Sequence, residues 1–226
     1  ELRFDRATIS FLQWFLLRSG KFANQIAAGC ILARSKPGLD RPDLQIMSSP
    51  VRVDANIWFP GIRQAPGDCF FNSICLLRPE SRGSVTLQDA NPRSAPKIAL
   101  GLLSHDNDWA TLKKGLAISR RIFSEGPIAQ YVVEETLPGT AIDDDAALDA
   151  MKADLAGVVH HPVGTCAMGA GQDAVLDPQL RVRGVEGLRV ADASIMPRLV
   201  GANTNAAAVM MAEKAADMIR QDARRH

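Results

Sequence analysis

Residues 160–169 read HHPVGTCAMG, residues 188–197 read LRVADASIMP, and residues 201–205 read GANTN. An alanine-rich stretch follows, whose apolar side chains have the spacing of an amphipathic helix over about residues 206–220. Short strands are predicted at residues 158–162, where a proline ends the strand, and at residues 187–191 (GLRVA). Short strands between helices, without the spacing of βαβ units, predict an α+β fold with a mostly antiparallel sheet flanked by helices.

Hydrophobic periodicity extends this fold class to the rest of the chain. The predicted helices span residues 5–19, 106–124 and 143–155, and the predicted strands span residues 44–53, 69–77 and 84–88. Gly20 is expected to cap the first helix at its C-terminus, and Asp106 to cap the second at its N-terminus. Within residues 44–53, alternation places Leu44 and Ile46 on one face of the strand and Gln45 on the other.

The composition is that of a globular protein. Of the 226 residues, 46% are hydrophobic and 23% are charged, with 26 basic against 25 acidic side chains. A near-neutral surface predicts no nucleic-acid partner, and no apolar run is long enough to predict a membrane span. Four cysteines are too few for a disulfide framework, so a reducing, cytoplasmic location is expected.

His161 is the first candidate for chemistry. The following proline fixes the backbone at the predicted strand end, and histidine changes charge near neutral pH, so His161 suits proton transfer. A histidine held in a turn by local hydrogen bonds remains the alternative. His160 is expected on the opposite face of the strand, so the two cannot readily share a metal ion, and no metal site is expected. Cys166, among small and apolar residues, is expected to be an inert thiol.

The second candidate is the segment before the last helix. Asp192 follows the predicted strand at residues 187–191, at a position where a carboxylate can contact a ligand. Asn203, Thr204 and Asn205 open the final helix, where such residues are ordinary N-caps. The same helix terminus could instead hold negative charge against free backbone N–H groups. A GxGxxG sequence is absent, so the chain has no dinucleotide-binding fingerprint of its own.

The three motifs, in this order and at this spacing, resemble the C-terminal signature of the glucose–methanol–choline (GMC) oxidoreductases. The likeness continues upstream through LLRPESRGSVTL, residues 76–87, and through residues 18–47, so it covers essentially the whole chain. It implies a substrate-domain region at residues 1–77 and a C-terminal domain at residues 78–226, whose last segment would complete an FAD-binding domain. The Rossmann-type N-terminal FAD domain of the family is not in this chain. Because the chain starts ELRFD, with neither Met nor a leader, it is expected to be part of something longer.

The resemblance also implies an activity, that of an FAD-dependent, choline dehydrogenase-like enzyme oxidising a primary or secondary alcohol by base-assisted hydride transfer to flavin. His161 matches the family's catalytic base, and Asn205 is assigned as the second group on the substrate oxygen. The resemblance also implies contacts with the cofactor. The pyrimidine side of the flavin would face Asn203, Thr204 and Ala206. The ribityl or pyrophosphate region would face Asp192 and Ala193.

Partners and alternatives follow from the same resemblance. The expected partners are a small alcohol substrate and, as a separate chain, the N-terminal half of such an enzyme. Residues 57–59, 69–74 and 199–200 are expected to form pocket walls. A truncated module that keeps the fold but binds no flavin and has no activity alone is the main alternative. A lyase or another non-redox member of the family is a weaker one.

Overall fold

The computed structural model describes residues 3–23, 29–50, 56–62 and 69–224. The helices are α1 (Phe4–Leu17), α2 (Asp106–Ser124), α3 (Asp145–Ala150), α4 (Lys152–Leu155) and α5 (Asn205–Ala223). The strands are β1 (Gly29–Ala33), β2 (Leu44–Ser49), β3 (Phe71–Leu76), β4 (Ser84–Thr86) and β5 (Lys97–Ala99). Short 3-10 helices span Lys21–Ala23, Gly126–Tyr131 and Ala193–Ile195.

Antiparallel pairing organises the described strands. β2 lies between β1 and β3, with Ile46 opposite Ile31 on one side and Ile74 on the other. β4 and β5 form a separate two-stranded ladder. Helices flank these sheets, so the predicted α+β class with antiparallel sheets is confirmed.

The two faces of β2 have different neighbours, as the alternation predicted. Leu44 and Ile46 are fully buried and face α2, which packs on β2 and β3. The helix can approach closely because Gly115 has no side chain, and a Cβ there would lie 2.5 Å from Ile74 Cγ2. Gln45 points to the other face of the sheet and is only 8% exposed.

A second core lies under α5. Met211 and Ala215 on the buried side of that helix pack with apolar residues of the preceding loops, namely Leu176, Leu180, Ile195 and Met196. The predicted amphipathic helix is therefore confirmed, with Met211 and Ala215 on its buried side. This packing holds the LRVADASIMP segment against the final helix.

Several predicted boundaries and elements are wrong for identifiable local reasons. Residues 158–162 do not form a strand, because His160 has a left-handed backbone with φ of 56°. Residues 187–191 contribute only an isolated bridge, between Arg181 and Arg189. The predicted helix over residues 143–155 is two helices, α3 and α4, separated at Met151.

The predicted helix caps also shift by a residue or two. The side chain of His105, not that of Asp106, caps α2 by accepting from the Asn107 N–H. Arg18, with φ of 50°, is the left-handed C-terminal residue of α1 in place of Gly20. The predicted strand over residues 44–53 ends at Ser49, and residues 51–55 lie outside the described ranges.

α1 carries a largely exposed apolar surface. The helix is anchored by its first residue, since the Phe4 ring stacks on Phe59 at 4.8 Å and its N–H donates to the Trp58 carbonyl. Ile9 and Leu16 are 66% and 71% exposed. None of the described helices combines the length and apolar character needed to cross a membrane.

Candidate active site

The two sequence motifs run side by side in the structure. The Cys166 N–H donates to the Ser194 carbonyl at 3.0 Å, and the Met168 N–H donates to the Ile195 carbonyl at 2.9 Å. Gly164 makes the preceding turn with φ of 94°, a conformation that suits glycine. These contacts place the HPVGT turn against the segment that leads into α5.

His161 faces the start of α5 with both ring nitrogens. Nδ1 lies 2.8 Å from Thr204 Oγ1, and Nε2 lies 3.3 Å from Asn203 Nδ2. The histidine is half-buried, while Asn203 is exposed. The ring is therefore held from its Nδ1 side and meets an amide NH₂ group at an accessible Nε2.

Thr204 does not cap α5 with its side chain, as a threonine at this position ordinarily would. It occupies the N-cap position of α5, but its backbone is helical and its side chain makes no hydrogen bond to the helix. The residue is 8% exposed, and its hydroxyl contacts His161 instead. The first intrahelical bond runs from the Ala208 N–H to the Thr204 carbonyl, so the first-turn N–H groups have no acceptor within the helix.

The structure brings Asn203, and not Asn205, to the candidate base. Asn205 is the exposed first residue of α5. Across the described part of the chain, the hydrogen bonds of His161 go to Thr204 and Asn203, and none joins it to Asn205. Asn203 and Asn205 flank Thr204, so the conformation of the turn into α5 determines which of the two side chains reaches His161. The assignment of Asn205 as the second group on the substrate oxygen stays a prediction.

Gln45 is a part of this network that sequence reasoning missed. Its Nε2 donates to Asn203 Oδ1 at 3.2 Å and lies 3.3 Å from Cys30 Sγ. The available signal was a long amide side chain inside the apolar strand β2, between Leu44 and Ile46, which are both fully buried. Opposite it on β3 lies Cys75, where burial raises the pKa of the thiol.

The predicted cofactor contacts have defined local surroundings. The Asp192 carboxylate accepts from the Ser194 N–H at 2.8 Å and caps the 3-10 helix Ala193–Ile195. The Ser194 hydroxyl and N–H together hold the pKa of Asp192 below its usual range. Ala193 packs against the core under α5, and Ala206 is exposed on the first turn of that helix. Their contacts with a cofactor stay predictions.

His160 and Cys166 take no part in this network. Because His160 lies in a turn, the strand alternation expected to separate it from His161 does not apply. Cys166 is half-buried and packs against the core that contains Met211. Over the described ranges, no group of three or more histidine, cysteine and acidic side chains is arranged to hold a metal ion.

Part of the predicted pocket walls lines a described cavity. Ile57 and Phe59 are 50% and 43% exposed. Residues 71–74 line a cavity of about 300 Å³ together with Trp109 and Val159, and His161 is not among its described lining residues. The wall of the substrate site therefore remains a prediction.

Comparison with known proteins supplies the family. The family model described as GMC oxidoreductase matches residues 79–212. An oxygen-dependent choline dehydrogenase from Brucella ovis is 38% identical over 218 residues, which are 96% of this chain and 39% of that protein. The chain thus spans about two fifths of the length of the curated relatives it matches.

Two solved structures extend the comparison. Pyridoxine 4-oxidase from Mesorbium loti is 28% identical with a TM-score of 0.75, over 87% of this chain and 38% of that one. A formate oxidase variant from Aspergillus oryzae RIB40, solved to follow the effect of a mutation on FAD modification, is 29% identical with a TM-score of 0.72, over 81% and 32%. FAD is accordingly a cofactor of this group of flavoenzymes. With more than half of its residues matched by the family model, this chain belongs to the GMC oxidoreductases.

Proposed function

We propose that this chain supplies the proton-transfer and substrate-orienting groups of an FAD-dependent enzyme that oxidises an alcohol. The observation that carries the proposal is the pairing of His161 Nε2 with Asn203 Nδ2 at 3.3 Å. An imidazole nitrogen and an amide donor at this separation form a matched acceptor and donor for a single hydroxyl group.

The hydrogen-bonding capacity of each group sets the protonation of the ring. An amide NH₂ group can only donate, so Nε2 facing Asn203 accepts and carries no proton. In the neutral imidazole the proton is then on Nδ1, where it is donated to Thr204 Oγ1. The lone pair of Nε2 becomes available to a substrate hydroxyl when that hydroxyl takes the place of the Asn203 amide as its partner.

A substrate oxygen placed between these groups would satisfy both. At about 2.6–3.2 Å from each nitrogen, the hydroxyl donates its proton to His161 Nε2 and accepts from Asn203 Nδ2. As the proton moves to Nε2, the amide stabilises the negative charge that develops on the oxygen. FAD, when bound, would accept the hydrogen of the alcohol carbon as hydride.

The start of α5 fits the expected position of the flavin. The N–H groups of residues 205–207 lack intrahelical acceptors, and the Thr204 side chain does not cap them because it contacts His161. Together with the helix dipole they offer positive partial charge next to the candidate base. This supports the predicted contacts of Asn203, Thr204 and Ala206 with the pyrimidine side, where a reduced flavin is most negative.

The experiment compares three variants by stopped-flow measurement of flavin reduction in the FAD-loaded protein, meaning this chain assembled with, or linked to, the flavin-binding polypeptide that completes the enzyme. His161→Ala should lower the rate constant by about 10²–10⁴ fold, the range for loss of a general base. Asn203→Ala should lower it by about 10² fold, as for a single lost donor to a developing oxyanion. Asn205→Ala tests the assignment that the family resemblance implies, and a larger loss than in Asn203→Ala would place Asn205, and not Asn203, on the substrate oxygen. An unchanged rate in His161→Ala removes this histidine from the mechanism.

We further propose that activity needs a flavin-binding polypeptide beyond the matched region, as the family resemblance implies. The chain spans 39% of the Brucella ovis relative, which leaves room for a separate or covalently linked FAD domain. Adding FAD to residues 1–226 alone should therefore give no alcohol oxidation. Recovery on adding a chain with a GxGxxG unit would support the N-terminal half as a partner. The cytoplasmic location stays a prediction.

A further inference from the structure

Gln45 connects the three-stranded sheet to the candidate base. It lies in the middle strand β2, and its Nε2 donates to the Oδ1 of Asn203, 158 residues further along the chain. The same amide of Asn203 presents Nδ2 to His161 Nε2. One bridging side chain thus receives a hydrogen bond from the sheet and gives one to the catalytic ring.

The burial of Gln45 makes its bond to Asn203 necessary for the stability of the buried amide. A glutamine that is 8% exposed in an apolar strand loses hydration of its amide, so its donors must find partners inside the protein. Its NH₂ group has two neighbours, Asn203 Oδ1 at 3.2 Å and Cys30 Sγ at 3.3 Å. An apolar side chain could occupy the space of Gln45 but could not donate to Asn203, and a shorter amide would not reach it.

The direction of this bond determines which atom Asn203 turns towards His161. With Oδ1 engaged by a donor, the free end of the Asn203 amide is its NH₂ group, which requires an unprotonated Nε2. If the amide were reversed, Oδ1 would face Nε2, and that nitrogen would have to carry the proton. A ring protonated at Nε2 has no lone pair there to take a proton from a substrate.

We propose that Gln45 is a positioning residue that fixes the orientation of the Asn203 amide and, through it, the proton-accepting form of His161. The inference rests on the proposed function for its effect on catalysis, but its structural claim concerns only the ring proton. The sheet of the N-terminal region thereby controls the protonation of a histidine in the C-terminal region.

The test is a change of donor to acceptor at Gln45. In Gln45→Glu the carboxylate can only accept, so it should attract the Asn203 NH₂ group and turn Oδ1 towards His161. Selective ¹⁵N labelling of histidine in the FAD-loaded protein should then show His161 protonated at Nε2, against Nδ1 alone in the wild type. Flavin reduction should fall by about 10²–10⁴ fold, as for loss of the base.

Gln45→Met gives a second, uncharged variant of similar shape. Without the donor, both orientations of Asn203 become populated, so the ¹⁵N signals should report mixed ring protonation. The rate should fall only by about two- to tenfold, because the competent fraction is reduced and not abolished. Of the four histidines, His161 is identified by the signal lost in His161→Gln.

The control for added charge is Gln130→Glu, on an exposed residue of a separate 3-10 helix. It should leave the His161 signals and the reduction rate unchanged, and an equal response there would overturn the proposal. So would a wild-type ring protonated at Nε2, or unchanged His161 signals in both Gln45 variants. If the ring responds to Gln45→Glu while His161→Ala reduces flavin normally, the positioning role stands and the proposed function fails.

Discussion

Thr204 shows how a single hydroxyl can be diverted from a structural to a functional contact. Threonine before a helix ordinarily accepts a hydrogen bond from the first turn. Here the hydroxyl lies 2.8 Å from His161 Nδ1 and leaves the helix start without a side-chain cap. The local cost is a less stabilised helix terminus, and the gain is a fixed imidazole next to free backbone N–H groups.

At this scale we predict that Thr204→Val slows flavin reduction by about tenfold. Valine has nearly the same shape but leaves the Nδ1 proton without an acceptor, and an unsatisfied buried donor costs about 1–3 kcal/mol. Thermal melts of Thr204→Val should show this lost hydrogen bond as a modest fall in stability, with no additional loss from uncapping, since the side chain does not cap α5.

Thr204→Ser is the matched control, because it keeps the hydroxyl and should retain most of the rate. Equal rates in Thr204→Val and wild type would show that the contact with His161 has no role in the reaction. Stopped-flow measurements on the FAD-loaded protein give both numbers.

At the scale of elements, α2 packs closely on the β1–β3 sheet because Gly115 has no side chain. Gly115 is buried in the helix, and a Cβ at this position would meet Ile74 Cγ2 at 2.5 Å and Leu44 Cδ2 at 3.3 Å. Glycine is a poor helix former, so its presence in the middle of a 19-residue helix reflects packing.

We predict that Gly115→Ala lowers the free energy of unfolding by up to about 2 kcal/mol. The improved helix propensity, about 1 kcal/mol, is outweighed by an overpacking cost of about 1–3 kcal/mol. Urea denaturation measures the difference. Gly157→Ala is the control, since a Cβ there meets nothing within 4 Å and should not destabilise the protein. A more stable Gly115→Ala protein would contradict close packing between α2 and β3.

Over the whole molecule, contacts cross the predicted boundary at residue 77. α2 packs on β2 and β3, and Gln45 of β2 bonds to Asn203 beside α5. The division into residues 1–77 and 78–226 stays a prediction about family domains, while the packing ties both parts together. Exposed apolar residues of α1, by contrast, form a surface of the kind that contacts other polypeptide.

We predict that residues 1–226 self-associate through the exposed apolar side chains of α1, and that Leu16→Glu reduces this self-association with little effect on stability. Leu16 is 71% exposed, so its replacement removes little buried contact and should change the free energy of unfolding by about 0.5 kcal/mol or less. Sedimentation and thermal melts of residues 1–226 provide the measurements. A large loss of stability would mean that the side chain is packed in the protein.

Helices and strands whose burial pattern appears in their own residues could be predicted from the amino-acid sequence alone. α2 spans the predicted residues 106–124, and the alternation along β2 correctly separated Leu44 and Ile46 from Gln45, because side-chain periodicity directly reflects burial. The order and spacing of the motifs were also enough for the family. His161 could be singled out because its type and its proline neighbour are properties of the chain itself.

The contacts of His161 with Thr204 and Asn203 could be identified only from the three-dimensional structure. A left-handed backbone at His160 ends the predicted strand, and the turn before α5 brings Asn203 to the His161 ring. Gln45, which lies in the middle strand of a sheet 158 residues away along the chain, also contacts this site. Such contacts depend on the relative placement of distant elements and on single backbone angles, and neither is encoded in the periodicity of any one segment.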